Sequence, residues 1–198
     1  MGYGNNGDMG DDRIDEAFRA VPRSAFLPMT LRRLAGVDDA LPLGGGPTCS
    51  QPSTVRDMLI LLDVRPGDRV LDVGSGSGWT TGLLSRLAAP GEVIGVELES
   101  RLVKSSRRAL ARLPDLGPWR VEIAEPGVLG LPSAGPFERI LVSADARGRV
   151  PDPLLDQLAD GGVLVGPVDG VMTRVTRSGD HLRTTRHGQY VFVPLQEP

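Results

Sequence analysis

The sequence is poor in the residues that most often carry nucleophilic, redox or metal chemistry. Its 198 residues include one cysteine, Cys49. No disulfide can form within them, and no thiolate zinc cluster is possible. The two histidines, His181 and His187, lie near the C-terminal end and outside every motif. A hydrolase triad or a metal pair would want them elsewhere, so they read as surface or strand-edge residues and no metal site is expected. Aromatics make up 4% of the chain and the formal net charge is −3. There is no basic footprint for nucleic acid and no polybasic patch for a membrane. Lys104 is the one lysine among 22 cationic residues, which reads as coding bias. No apolar run reaches the ~18 residues of a membrane helix. The opening MGYGNNGDMGDD lacks the apolar core of a signal peptide. It also misses the myristoylation pattern, since Asn6 stands where Ser or Thr is needed. A monomeric, cytoplasmic protein without nucleic-acid or membrane partners is the expectation.

What is present suffices for one globular domain, with 40% hydrophobic residues. Residues 1–11, rich in Gly, Asn and Asp, predict a disordered tail ahead of a single domain over 12–198. Ile14, Ala17, Phe18 and Val21 fall at helical spacing up to Pro22. A short helix, TLRRLA, follows Pro28, and then a loop loaded with Gly and Pro, LPLGGGPTCSQPS, closes the first part at residue 53. Val55, Met58, Leu59 and Leu62 share one face of the next helix. A strand–helix rhythm then begins. Strands are predicted at 69–74, 92–98, 119–124, 139–144 and 162–168, with helices at 79–88, 100–113 and 152–159. This 54–168 core calls for a parallel sheet covered on both faces. VMTRVTR, HLRTTR and QYVFVPL read as closing strands over 169–198.

The strongest motif is LDVGSGSGW, residues 71–79. It follows a predicted strand and opens a predicted helix, where a Rossmann-like nucleotide site needs glycines. The glycines Gly74, Gly76 and Gly78 have the spacing G-x-G-x-G, with Ser75 between the first two. Trp79 stands where the third glycine of a dinucleotide fingerprint would fall, which argues against a nicotinamide cofactor. Glu97 ends the second core strand, 19 positions after Gly78. A carboxylate there can accept both hydroxyls of a ribose. Asp72 either braces the loop or meets the cofactor's amino group.

At this point a resemblance becomes specific. From Val21 to Leu195 the chain resembles the protein-L-isoaspartate O-methyltransferases. The segments VPRSAFLP, LPLGGGPTCSQPSTV, RPGDRVLDVGSGSGW, PFERILVSADA, LLDQLADGGVLVGPV and VFVPL are each similar to segments of that family. The glycine loop is shared by methyltransferases in general, whereas the Thr-x-Ser-Gln-Pro loop is the family-specific part. The resemblance implies an α/β, Rossmann-like class I fold with a seven-stranded, mostly parallel sheet and helices on both faces. It implies S-adenosyl-L-methionine as cofactor and esterification of the α-carboxylate of L-isoaspartyl residues in damaged proteins or peptides. The ester then closes unaided to a succinimide, and hydrolysis returns some normal aspartate. In the family the loop serine lies beside the substrate carboxylate, which carries over to Ser50. Thr48, Cys49 and Gln51 would shape the same loop, and Ser143 and Asp145 would lie in the small-residue run after the fourth strand. The plain alternative for Ser50 is a serine in the N-cap region of the following helix. The chemistry suits what the sequence lacks, because an anionic acceptor needs alignment and a dry site rather than a strong base.

The chain departs from the family in three places. The family's Gly-Asp-Gly after the third strand, whose Asp contacts adenine, is here Glu125, Pro126 and Gly127. Pro126 removes a carboxylate and an N–H, leaving Glu125 as a substitute from one position earlier. Asp145 interrupts the small-residue run. It would repel an anionic acceptor if it faced one, and otherwise reads as a solvated aspartate paired with Arg147 or Arg149. Cys49 replaces an aliphatic residue. These departures leave two other readings beside repair: a relative that methylates a carboxylate on a dedicated peptide, and a noncatalytic cofactor-binding relative.

Overall fold

The computed structural model describes residues 6–196, with side chains from Asp12 onward. Helix α1 spans Asn6–Ala20. Residues 1–5 of the expected tail lie outside the described residues, while 6–11 belong to this helix. Ile14, Ala17 and Val21 are buried beneath it. Two 3-10 turns follow, Arg23–Phe26 and Met29–Leu34, the second taking the place of the TLRRLA helix. A small antiparallel hairpin pairs β1 (Leu41–Pro42) with β2 (Thr48–Cys49). Helix α2 (Pro52–Leu62) starts with proline at its first turn and ends where Asp63 turns left-handed at φ 51°.

The core alternates β3 (Val70–Val73), α3 (Trp79–Ala88), β4 (Val93–Glu97), α4 (Ser100–Leu110), β5 (Trp119–Ile123) and β6 (Phe137–Val142). Helix α5 (Asp152–Asp156) precedes β7 (Leu158–Val168), β8 (Val171–Ser178) and β9 (His181–Gln189). The main sheet has seven strands in the order β5-β4-β3-β6-β7-β8-β9. Its first five strands are parallel, and β8 and β9 are added as antiparallel neighbours. Alternate residues of the strands enter two cores. Val70, Val93, Leu141 and Val163 pack with α1–α4, while Leu71, Ile94, Ile140 and Leu164 face a thinner layer that includes Leu154 of α5. Because β3 is buried on both faces, its sequence is a continuous apolar run broken only by Asp72.

Two predicted elements differ. The helix expected over 152–159 stops at Asp156, because Gln157 turns the chain into the sheet. Its carbonyl accepts from Phe137 N–H at 2.8 Å, and its buried side chain bonds Leu131 N–H and the Leu129 and Pro153 carbonyls. The strand expected over 189–195 does not extend the sheet. After Gln189 the chain leaves β9 and crosses to Asp145, meeting it through a bridge at Pro194. Tyr190 fixes this departure, with its hydroxyl donating to Asp57 at 2.8 Å and its N–H to the Gly170 carbonyl at 2.8 Å. Among the described residues, no helix is long and apolar enough to cross a membrane.

Candidate active site

The chain reverses its direction of travel across the sheet between β3 and β6, and a crevice opens at the carboxyl ends of those strands, as expected for such a switch point. The loop Gly74–Gly78 follows β3, Glu97 ends β4, and Ser143 follows β6. Together with the hairpin and the C-terminal segment they enclose a cleft of about 530 Å³, within the range of small-molecule sites. Thr48, Gly74, Gly76, Glu97 and Ser143 line it. A larger, shallower cavity of about 750 Å³ lies beside it, lined by Gly127, Arg147, Arg149 and Asp152 among others. None of its lining side chains is a buried polar group without a partner, so the chemistry is assigned to the smaller cleft.

The glycine loop is held from below. Gly74, Gly76 and Gly78 have φ of 74°, 53° and 86°. Gly78 is a packing glycine: a Cβ there would fall 2.6 Å from Ser106 Cβ on α4. Asp72 is fully buried, and its Oδ2 accepts from the Thr80 and Thr81 hydroxyls at 2.8 and 2.7 Å. It thus braces β3 against the first turn of α3 and does not line the cleft. Burial pushes its pKa up to about 6, opposed by the two threonine hydrogen bonds and assisted by the charge of Glu97. Ser75 is buried beneath the loop with its hydroxyl unpartnered. Glu97 joins the loop to β4. One oxygen accepts from Gly76 N–H at 2.8 Å and the other from Glu99 N–H at 3.0 Å, and each keeps a further lone pair for a ligand hydroxyl.

The hairpin rests directly on this loop. The Cβ position at Gly76 is 4.0 Å from the Thr48 carbonyl, and Ser77 Oγ lies 3.7 Å from Cys49 Sγ. Cys49 is buried under the hairpin. Ser50 is half-buried, lies just outside the cleft lining, and makes no hydrogen bond to a described residue. It is not a helix cap. That work falls to Asp38, which accepts from Ser53 N–H at 2.9 Å and from Gln51 Nε2 at 3.1 Å. The Ser53 N–H in particular holds its carboxyl below the usual range.

Sequence reasoning missed the anchor of this region. Arg23 is buried, with its guanidinium donating to the carbonyls of Val37 (3.0 Å), Asp39 (2.6 Å) and Cys49 (2.9 Å) and stacked 5.4 Å from the Trp79 ring centre. Trp79 in turn donates to the Val21 carbonyl at 3.0 Å and meets Phe18 edge-on. The tryptophan that ruled out a dinucleotide fingerprint therefore locks the N-terminal segment onto the core.

Several expected residues sit elsewhere. Glu125 is exposed and outside the cleft, and Gly127 lines the neighbouring cavity. Ala124, Val128 and Leu129 supply that wall instead. Asp145 neither lines the cleft nor pairs with Arg147 or Arg149. Its Oδ1 accepts from Gly170 N–H at 3.1 Å, while Arg149 pairs with Asp152 at 2.6 Å. The missed wall is the segment 191–196. His181 and His187 lie on the exposed edge strand β9, and among the described residues no group of three His, Cys, Asp or Glu could hold a metal.

The residues fit S-adenosylmethionine. Glu97 offers carboxylate lone pairs where a ribose would lie, Leu98, Val128 and Leu129 give apolar walls, and the buried Ser143 hydroxyl has no partner among the described residues. The parallel sheet, the glycine loop and this cleft define a class I S-adenosylmethionine-dependent methyltransferase.

The chain matches the profile of the protein-L-isoaspartate(D-aspartate) O-methyltransferase family over residues 3–198. It is 44% identical over 190 residues to a protein-L-isoaspartate O-methyltransferase of Roseiflexus sp. (strain RS-1), covering 93% of this chain and 84% of that one. Against its namesake from Aeropyrum pernix it is 40% identical over 189 residues, covering 92% and 72%. The fold is also that of a putative protein-L-isoaspartate O-methyltransferase from Plasmodium falciparum solved with S-adenosyl-L-homocysteine (TM-score 0.80, 23% identity, 94% and 91% covered). The chain belongs to the protein-L-isoaspartate(D-aspartate) O-methyltransferase family.

Proposed function

We propose that this chain transfers a methyl group to the α-carboxylate of L-isoaspartyl residues in damaged proteins or peptides, acting as a cytoplasmic monomer. The observation that carries this reading is the docking of the Thr-Cys-Ser-Gln hairpin on the glycine loop, with Thr48 and Gly76 lining one cleft. S-adenosylmethionine, when bound, supplies an electrophilic sulfonium methyl. The Gly74–Gly78 loop, Glu97 and Ser143 would hold it. The acceptor is already an anion, so the residues around it need only orient it and keep water out. Ser50, beside Thr48 in the same hairpin, would donate a hydrogen bond to that carboxylate, and its hydroxyl is spent on no other described residue.

The residues that argued for a redirected acceptor, Asp145 and Pro126, are not part of the cleft lining, and the Asp145 carboxylate accepts from Gly170 N–H. The repair-type reading is therefore preferred to the dedicated-peptide one. A labelled-methyl assay with an isoaspartyl peptide and its aspartyl twin tests it. Label should enter the first and stay at background in the second. Equal labelling, or none in either while S-adenosylhomocysteine binds, would remove the isoaspartyl assignment. Ser50→Ala should lower kcat/KM by about tenfold to a hundredfold, the scale of a hydrogen bond to a charged group. Cofactor affinity should hold, and a parallel loss of both would reduce Ser50 to a structural residue.

A further inference from the structure

The tip of the hairpin is tied to the start of α4 by one side chain. Its tip, residues 43–47, contains three consecutive glycines, Gly44, Gly45 and Gly46, with φ of 85°, 77° and 110°. Such a segment has more backbone freedom to lose than any other composition. Within the tip one backbone hydrogen bond forms, from Leu43 N–H to the Pro47 carbonyl at 2.9 Å. Arg101, in the first turn of α4, adds two more. Its Nη1 donates to the Leu43 carbonyl at 3.2 Å and its Nη2 to the Gly44 carbonyl at 2.8 Å. The Glu99 carboxylate steadies the guanidinium at 3.3 Å.

The placement of these contacts matters. Gly45, Gly46 and Thr48 of the hairpin and Leu98 and Glu99 after β4 line the same cleft. Arg101 therefore ties together two of the segments that form it. The tie ends on the carboxylate that sets the glycine loop, because Glu97 accepts from both Glu99 N–H and Gly76 N–H. A guanidinium suits the task, since its fork of N–H groups reaches two successive carbonyls at once. The Arg101 side chain is 56% exposed. Contacts in water are weak and readily remade, as a bridge that opens at each exchange of cofactor requires.

We propose that Arg101 is a positioning residue that latches the glycine tip to the start of α4. Released, the tip lifts and the cofactor exchanges. Engaged, it closes the cleft and sets Thr48 and Ser50 for the acceptor. The exchange of cofactor rests on the function proposed above, whereas the latch itself is a property of the hairpin in the free protein.

The test compares the wild type with Arg101→Ala and Arg101→Lys. Amide exchange on ligand-free protein should be about tenfold faster at Leu43, whose N–H is bonded to the Pro47 carbonyl, in Arg101→Ala, the scale of one charge-assisted hydrogen bond. The melting temperature should stay within about 2 °C, as for an exposed substitution. Stopped-flow binding of S-adenosylhomocysteine should then show both association and dissociation several-fold faster, with Arg101→Lys between the two. A residue that only supported the fold would speed dissociation and leave association unchanged, and that outcome overturns the latch. Equal exchange at the Leu43 amide in wild type and Arg101→Ala overturns it as well. A wild type that binds no S-adenosylhomocysteine refutes the proposed function, while the exchange measurement still decides the latch.

Discussion

The two loops that meet across the cleft are held in opposite ways. The glycine loop is braced by groups close to it in sequence and mostly buried: Asp72 with Thr80 and Thr81, Ser75 carbonyl with Gly78 N–H, and Glu97 from the adjacent strand. The 41–49 hairpin makes few bonds of its own and is held from a distance by Arg23, Arg101 and Asp38. The donor side is thus built to one fixed shape, which suits a single small cofactor. The hairpin side hangs at its base on the buried Arg23 and at its tip on the exposed Arg101, and a tip held so lightly would suit a protein acceptor whose neighbouring residues differ from case to case.

The strongest way to break this contrast is at Gly78. An alanine there meets the backbone of α4, 3.3 Å from Ser106 Cα, at a left-handed φ of 86°. Strain and overpacking together should cost about 4 kcal/mol, read by urea unfolding. Cofactor binding should be lost at temperatures where the variant is still folded. Arg23→Ala comes next. It removes three good carbonyl hydrogen bonds from a side chain that leaves the residue 5% exposed, at about 3 kcal/mol. Well below its melting point, acceptor turnover should fall more than cofactor affinity. Equal losses would show that the loops are not held independently.

Asp72 sharpens the donor side. Its folded pKa of about 6 lies above the ordinary carboxyl value of 3.8, because burial disfavours the charge. A raised carboxyl stabilises the fold fully below its unfolded pKa, and that contribution is lost as pH rises through about 6. Asp72→Asn keeps an acceptor for Thr80 and Thr81 and removes the charge. It should match the wild type near pH 3.5 and exceed it by about 3 kcal/mol at pH 8. Parallel stability curves for the two proteins across that range would mean that the carboxyl is not held in a dry site.

What could be read from the sequence follows the same division. The strands from β3 to β7 and the glycine loop announce themselves within about a dozen residues, through apolar runs and glycine spacing. The position of Glu97 was legible from strand length, but not its two hydrogen bonds to the loop and α4. Arg23 and Arg101 were not legible, because they look like any surface arginine in a chain where arginine supplies nearly all of the 22 cations. Their partners lie up to 58 residues away. The segment 190–196 is an apolar, strand-like run, yet its path is set by Tyr190 reaching Asp57, a contact spanning 133 residues. Local patterns cannot report a wall assembled from such distant partners.

Asp145 should give the smallest effect and the finest distinction. Beyond the Gly170 contact, its N–H donates to the Val193 carbonyl and its carbonyl accepts from Leu195 N–H, both at 2.8 Å. The residue therefore pins the C-terminal wall mainly through backbone, which a substitution leaves in place. Asp145→Ala should cost about 1 kcal/mol for the lost side-chain hydrogen bond, and Asp145→Asn less, since the amide oxygen still accepts. Neither should alter the ranking of isoaspartyl peptides with acidic and neutral flanking residues. If alanine selectively improved the acidic peptides, the carboxylate would be felt by the acceptor. The C-terminal wall would then belong with the adjustable hairpin rather than with the fixed donor side.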